Sequence, residues 1–252
     1  MVAGELPVTG IEIVAVAAAV VVAALLKSIT GMGFPLILIP TLALVIDVTD
    51  AVIIVAPANL FLNTSLVWDA RRARHDAPAL PGFLVGGVMG GIAGSLLLSI
   101  LAEETLRWIL IVVVVLFLVN RFRAPDLTIP GHLVGPLAPV VGTVAGVFQG
   151  AAGISGPLVT PWFLSLGLSR ETYVFSIAAA FALSGGAQIA GLTAQGLFTL
   201  HLLGLGAALV AVAALLLPVG VRLRRRVPVV VFERLVIALL AASALTMILR
   251  AV

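Results

Sequence analysis

Two short segments govern what this chain can fold into. Gly31-Met32-Gly33-Phe34-Pro35 and Gly153-Ile154-Ser155-Gly156-Pro157 each interrupt a long apolar run. Each leads into a shorter run that holds another proline, Pro40 and Pro161. Glycine adopts backbone angles that other residues avoid, and proline has no N–H to donate, so neither segment is the middle of an ordinary helix. In water such a segment is a turn. In a bilayer it frees backbone N–H and C=O groups that lipid cannot satisfy. A chain that does this twice, at matching places, is expected to use the freed groups to hold something.

The bilayer follows from composition. Of 252 residues, 62% are hydrophobic and 10% charged, against about 25% charged in globular domains. Mean hydropathy is +1.28. Several runs approach the ~20 residues a spanning helix needs, so the fold class is an all-α polytopic membrane protein. The net charge is +3, but the arginines lie between apolar runs, where they report orientation rather than nucleic-acid binding. There is no cysteine, and His75, His132 and His201 are not at metal-ligand spacing, so neither a metal nor a cofactor is expected. The apolar run from Ile11 is flanked by Glu5 and Glu12 rather than by Lys or Arg, which marks a first helix and not a cleaved signal peptide.

The pattern predicts ten membrane-embedded helical elements. Five fall at 11–30, 35–46, 50–68, 81–100 and 105–120; five more fall at 133–151, 158–166, 170–192, 200–221 and 229–250. The fourth is rich in glycine at spacings that let helices pack closely in lipid. The order of features repeats: Pro35 and Pro157 stand 122 apart (157 − 35), Asp50 and Glu171 stand 121 apart (171 − 50). The chain therefore reads as a first repeat over 1–122, a cytoplasmic linker over 123–132, and a second repeat over 133–252. With Arg71, Arg72 and Arg74 placed in the cytoplasm, Arg121, Arg123, Arg170 and the Arg222–Arg226 cluster fall there too. Glu5, Glu12, Asp47, Asp50, Glu103 and Glu104 fall opposite; Arg107 and Arg250 are the exceptions. Five elements per half is an odd number, so the halves are inverted, both termini are periplasmic, and each Gly/Pro break forms a broken or re-entrant hairpin. The expected location is a bacterial cytoplasmic (inner) membrane.

Pro35 and Pro157 belong in the first turns of the helices that follow the breaks. Helix N-termini offer free N–H groups and partial positive charge, which suit an anion. Candidate substrate-binding residues are Thr30, Gly31, Gly33 and Phe34 at the first break, and Gly150, Gly153, Ser155 and Gly156 at the second. Lys27 is a cation inside an apolar run; it serves the site or snorkels to an interface. Gln149 takes its place in the second half. Asn59 and Asn63, and Ser184 and Gln188, are spaced four apart on one helix face each, as polar walls of a site or as interhelical hydrogen bonds. Trp68 and Trp162 read as interface or packing residues. No Asp or Glu lies at the centre of an apolar run, so no acidic proton carrier is evident.

Gly31-Met32-Gly33-Phe34-Pro35-Leu36 with Pro40, and Gly150, Gly153, Ser155-Gly156-Pro157-Leu158 with Pro161, resemble the paired motifs of the TauE/SafE sulfite exporter (TSUP) family. The resemblance runs from about residue 13 to residue 249. Phe34 and Ser155 stand where the family often has glycine. The resemblance implies a secondary transporter, an exporter by family habit, of sulfite or organosulfonates such as sulfoacetate, and more broadly of small organic anions including carboxylates. It implies no enzyme activity. A rival reading compares Gly153-Ile154-Ser155-Gly156 and His201 with rhomboid intramembrane serine proteases. Against it, Pro157 follows the serine at once, and Pro35 recurs in a half with no serine. His201 also opens its run at the outer surface.

Overall fold

The computed structural model describes residues 10–30, 33–77, 79–123 and 128–223, with the single positions Ile237 and Leu245. Among the described residues the regular structure is entirely helical. The helices are α1 (Gly10–Thr30), α2 (Phe34–Leu42), α3 (Val48–Asp69), α4 (Leu80–Ile100), α5 (Glu103–Arg123), α6 (Gly131–Ala152), α7 (Gly156–Ser165), α8 (Arg170–Ala194) and α9 (Leu200–Leu223), with a 3-10 turn at Arg71–Asp76. The tenth expected element, 229–250, lies outside the described residues apart from Ile237 and Leu245. The helix expected over 35–46 is shorter, at nine residues. Pro40 cannot donate to the carbonyl four residues back, and the chain then tightens into turns, with Val45 N–H donating to Leu42 O at 2.8 Å.

Five helices, α3, α4, α6, α8 and α9, are each long and apolar enough to cross a membrane. Val85, Met89 and Leu215 point outward at 61, 63 and 74% exposure. In water they would be a liability; in lipid they are the expected surface. The protein is a multi-pass membrane protein.

Lipid gives apolar side chains no reason to leave it, so the helices associate through close backbone approach. Gly82, Gly86, Gly90 and Gly94 line one face of α4. A Cβ at Gly86 would strike the carbonyl of Pro139, at Gly90 that of Thr143, and at Gly94 that of Val147, all on α6. Reciprocally, Gly142, Gly146 and Gly150 of α6 meet the carbonyls of Phe83, Gly87 and Gly91. The contacts advance together along both helices, so α4 and α6 run in the same direction. Gly91 meets Ser184 and Gly191 meets Ser95, so α8 runs alongside α4 in that direction too. Gly220 of α9 packs on the side chain of Ser28 in α1.

Two apolar cores flank this seam. One joins α1, α2, α3, α5 and α9 around Phe34, Ile37, Leu38 and Val52. The other joins α4, α6, α7 and α8 around Phe83, whose ring lies 5.0 Å from that of Phe163 and 6.2 Å from that of Trp162. The helix ends sort by charge. Glu103 Oε1, at the start of α5, accepts from Val48 N–H at the start of α3, at 2.7 Å. Asp50 and His201, in the first turns of α3 and α9, interact electrostatically. Thus α3, α5 and α9 begin on one face. After α3 ends, Arg71 stacks its guanidinium 4.4 Å from the ring of exposed Trp68.

Candidate functional site

Both breaks become helix starts. Gly33 caps α2 with φ at +102°, a conformation only glycine adopts freely, and its carbonyl accepts from Ile37 N–H at 3.1 Å. In the second break Gly153 closes α6 with φ at +69°. Ser155 caps α7, accepting from Leu158 and Val159 N–H at 3.0 Å each. Pro35 and Pro157 are the second residue of each new helix, where a missing N–H costs little. Three boundaries around the breaks repeat with one offset. α1 and α6 end at Thr30 and Ala152 (152 − 30 = 122), α2 and α7 begin at Phe34 and Gly156, and α3 and α8 begin at Val48 and Arg170, all 122 apart.

The two helix starts line one cavity of about 30 Å³. Lys27, Gly33, Asn59, Gln149, Gly153, Ser155 and Gly156, seven of the expected residues, form its wall, together with Pro35, Leu36, Ile154, Phe117 and Phe181. Three pairs of these stand 122 apart: Lys27 and Gln149 (149 − 27), Gly33 and Ser155 (155 − 33), and Asn59 and Phe181 (181 − 59).

The polar groups differ between the two sides. On one side, Lys27 is 1% exposed and donates from Nζ to Asn63 Oδ1 at 2.6 Å, with the Phe181 ring centroid 4.8 Å away. Asn63 Nδ2 in turn donates to Asn59 O at 2.8 Å and Asn59 Oδ1 at 3.0 Å. That fixes which way both amides point. An ammonium carries three donors, and the hydrogen bond to Asn63 uses one. Bonds to charged groups are worth about 1.5–3 kcal/mol, which holds the amine in place.

On the other side, Ser155 Oγ donates to Gln149 Oε1 at 2.9 Å. Gln149 Nε2 donates to Gly153 O at 3.1 Å and to Gln188 Oε1 at 3.3 Å, and Gln188 Nε2 donates to Gly150 O at 3.1 Å. Gln149 thus spends all of its donors and its acceptor on the protein. It ties the last turn of α6 to the cap of α7 and to α8.

Other expected residues lie elsewhere. Gly150 faces the backbone of α4 at Gly91, Gly94 and Ser95 and lies outside the cavity wall; its lack of a Cβ serves helix packing. Ser184 Oγ donates to Ala180 O within its own helix at 2.7 Å. Phe34 is fully buried in the first core. Thr30 ends α1; the Thr30 side chain and Gly31 lie outside the described structure. Phe117 and Phe181 carry no signal within an apolar run. The hydroxyl of Ser155 has Gln149 as its acceptor, while His201 is exposed in the first turn of α9 beside Asp50, which is not a serine–histidine pairing. Among the described residues no group of His, Asp and Glu is arranged to hold a metal ion.

No curated protein and no solved structure matches the chain. A family model does: the description "Sulfite exporter TauE/SafE" matches residues 16–247, nearly the full length and both breaks. The chain belongs to the sulfite exporter TauE/SafE family, a family of membrane transporters.

Proposed function

We propose that this chain is a secondary transporter that exports a small sulfur-containing oxyanion, sulfite or an organosulfonate such as sulfoacetate, across a bacterial inner membrane. The observation that carries this reading is a buried lysine with no carboxylate beside it among the described residues, set in a cavity into which two helix N-termini open. Each N-terminus supplies about half a positive charge, and Lys27 supplies a whole one. At ~10–15 Å³ per water-sized sphere, the cavity has room for two or three. That favours a compact anion such as sulfite; sulfoacetate requires the cavity to widen. In this reading Lys27, Asn59 and the first-turn amides of α2 and α7 contact the anion, while Gln149, Ser155, Asn63 and Gln188 hold the walls.

The transport cycle we propose is alternating access between two inverted repeats, 1–122 and 133–252, joined by a cytoplasmic linker at 123–132. Its support is the pairing of contacts between helices in matching order. α4 packs on α6 and α9 on α1; α4 packs on α8 and α9 on α3; α1 packs on α2 and α6 on α7. α3 and α9 start on the face opposite to the starts of α8 and α4, as inversion requires. Positive-inside placement puts the α3 start and both termini in the periplasm.

The test is a thermal-shift panel of sulfite, sulfoacetate, methanesulfonate, acetate and chloride on purified protein, because a ligand that binds only the folded state raises its apparent stability. A rise with sulfite or a sulfonate is expected. No rise with any oxyanion would remove the anion-site reading.

A further inference from the structure

Lys27 is a base as well as a charge. Every described group against it is neutral: the Asn63 amide, the Phe181 ring, and Asn59 and Gln149 across the cavity. The elements around it bring no counter-charge. α2 and α7 have no ionisable residue; α6 has only His132 in its first turn. α3 has Asp50 and Asp69, α8 has Arg170, Glu171 and Tyr173, and α9 has His201 and Arg222, all near helix ends. α5 has Glu103, Glu104 and Arg107 at its start and Arg121 and Arg123 in its last turn, and those last two are cations. The segment from 235 to 249 has no charged residue. All 11 Asp and Glu of the chain stand in loops or near the ends of runs. The one ion pair among the described residues, Arg107 with Glu103 at 3.7 Å, does not involve Lys27.

A buried charge must be paired or given up, because an isolated ion far from water costs several kcal/mol after relaxation. With no carboxylate in reach among the described residues, the cavity is electrically neutral in two ways: as an ammonium with a bound anion, or as a free amine with the cavity empty. We infer that Lys27 carries the coupling proton of this transporter, so that each anion crosses together with one proton. This rests on the reading of the cavity as an anion site. On the loading side, water or buffer donates a proton to the lysine nitrogen and the anion binds beside it. On the release side one N–H bond breaks, its electron pair stays on nitrogen, the proton passes to water, and the anion leaves. The amine then returns uncharged. A monoanion thus moves electroneutrally, and a dianion moves one net negative charge.

The test uses the full chain in proteoliposomes that contain pyranine, with labelled methanesulfonate as the anion, since a strong acid brings no proton of its own. Wild type is expected to move one proton per methanesulfonate in the same direction, with a rate unaffected by a valinomycin-set voltage. Lys27→Arg keeps the positive charge but cannot release its proton. It is expected to lose net methanesulfonate uptake. Methanesulfonate flux through wild type with no change in pyranine signal overturns the inference, as does net uptake by Lys27→Arg at the wild-type rate. Both outcomes leave the anion site standing if the thermal shift persists. If Lys27→Arg fails to fold, the proton stoichiometry of wild type decides alone.

Discussion

Replacing Lys27 with glutamine removes one positive charge and leaves an amide of nearly the same reach. Its effect can be worked from the cavity. An anion centred ~4 Å from Nζ, at an effective dielectric constant of ~20, gains about 4 kcal/mol from a unit charge. A dianion gains about twice that. The new amide can still donate one hydrogen bond, worth ~1 kcal/mol. The net loss for a monoanion is then about 3 kcal/mol, roughly a hundredfold in affinity, with a steeper loss for a dianion. Isothermal titration of wild type and Lys27→Gln with methanesulfonate and sulfoacetate at one pH measures both. The two helix N-termini remain in the variant, so some affinity should persist. The reasoning is refuted if both anions bind the variant as tightly as wild type, or if the singly and doubly charged ligands lose affinity equally. Either result would place the anion away from Lys27.

Four further outcomes are expected. Gly156→Leu should abolish anion binding with little change in melting temperature, because a Cβ there meets open space beside the cavity; Gly33→Ala should instead lower stability, because its φ is +102° and a Cβ would strike Leu26. Gly90→Val should loosen the α4–α6 seam, an overpacking cost of typically ~1–3 kcal/mol read as a lower SDS-unfolding midpoint. Gln149→Leu should strand the Ser155 hydroxyl and the Gly153 carbonyl at roughly 1–3 kcal/mol each, whereas Gln149→Glu should keep the acceptor for Ser155 and repel the anion. Single cysteines at Arg72 and Arg224 should resist a membrane-impermeant thiol reagent in whole cells, and one at Glu103 should react; the reverse pattern would invert the topology.

The breaks were legible because glycine and proline speak through the backbone, and a backbone signal survives without side-chain context. The 122-residue spacing of Pro35 and Pro157 is also kept by the ends of α1 and α6 and by the starts of the two helices that follow each. The role of Gln149 was not legible. A glutamine opposite a lysine reads equally well as a ligand or as a strut, and only its bonds to Ser155, Gly153 and Gln188 distinguish them. Gly150 misled for a related reason: it adjoins the break in sequence but turns its bare Cα toward α4. Phe117 and Phe181 were invisible because an aromatic ring in an apolar run looks the same whether it meets lipid, core or cavity. The end of α2 was overextended because the apolar pattern continues through Ile46 while the bonds at Leu44 and Val45 reach back only three residues.

The glycine seam between α4 and α6 sets a schedule on biosynthesis. α4 is complete once Ile100 has been added, yet the surfaces that cover its glycine face belong to α6 and α8, which finish at Ala152 and Ala194. At roughly 5–20 residues per second, the 94 residues from Ile100 to Ala194 (194 − 100) take roughly 5–20 s to make. Throughout that interval a newly inserted helix presents a bare strip of backbone to the membrane. Whatever shelters that strip at the site of insertion, lipid or insertion machinery, governs how much of the nascent chain reaches its assembled form.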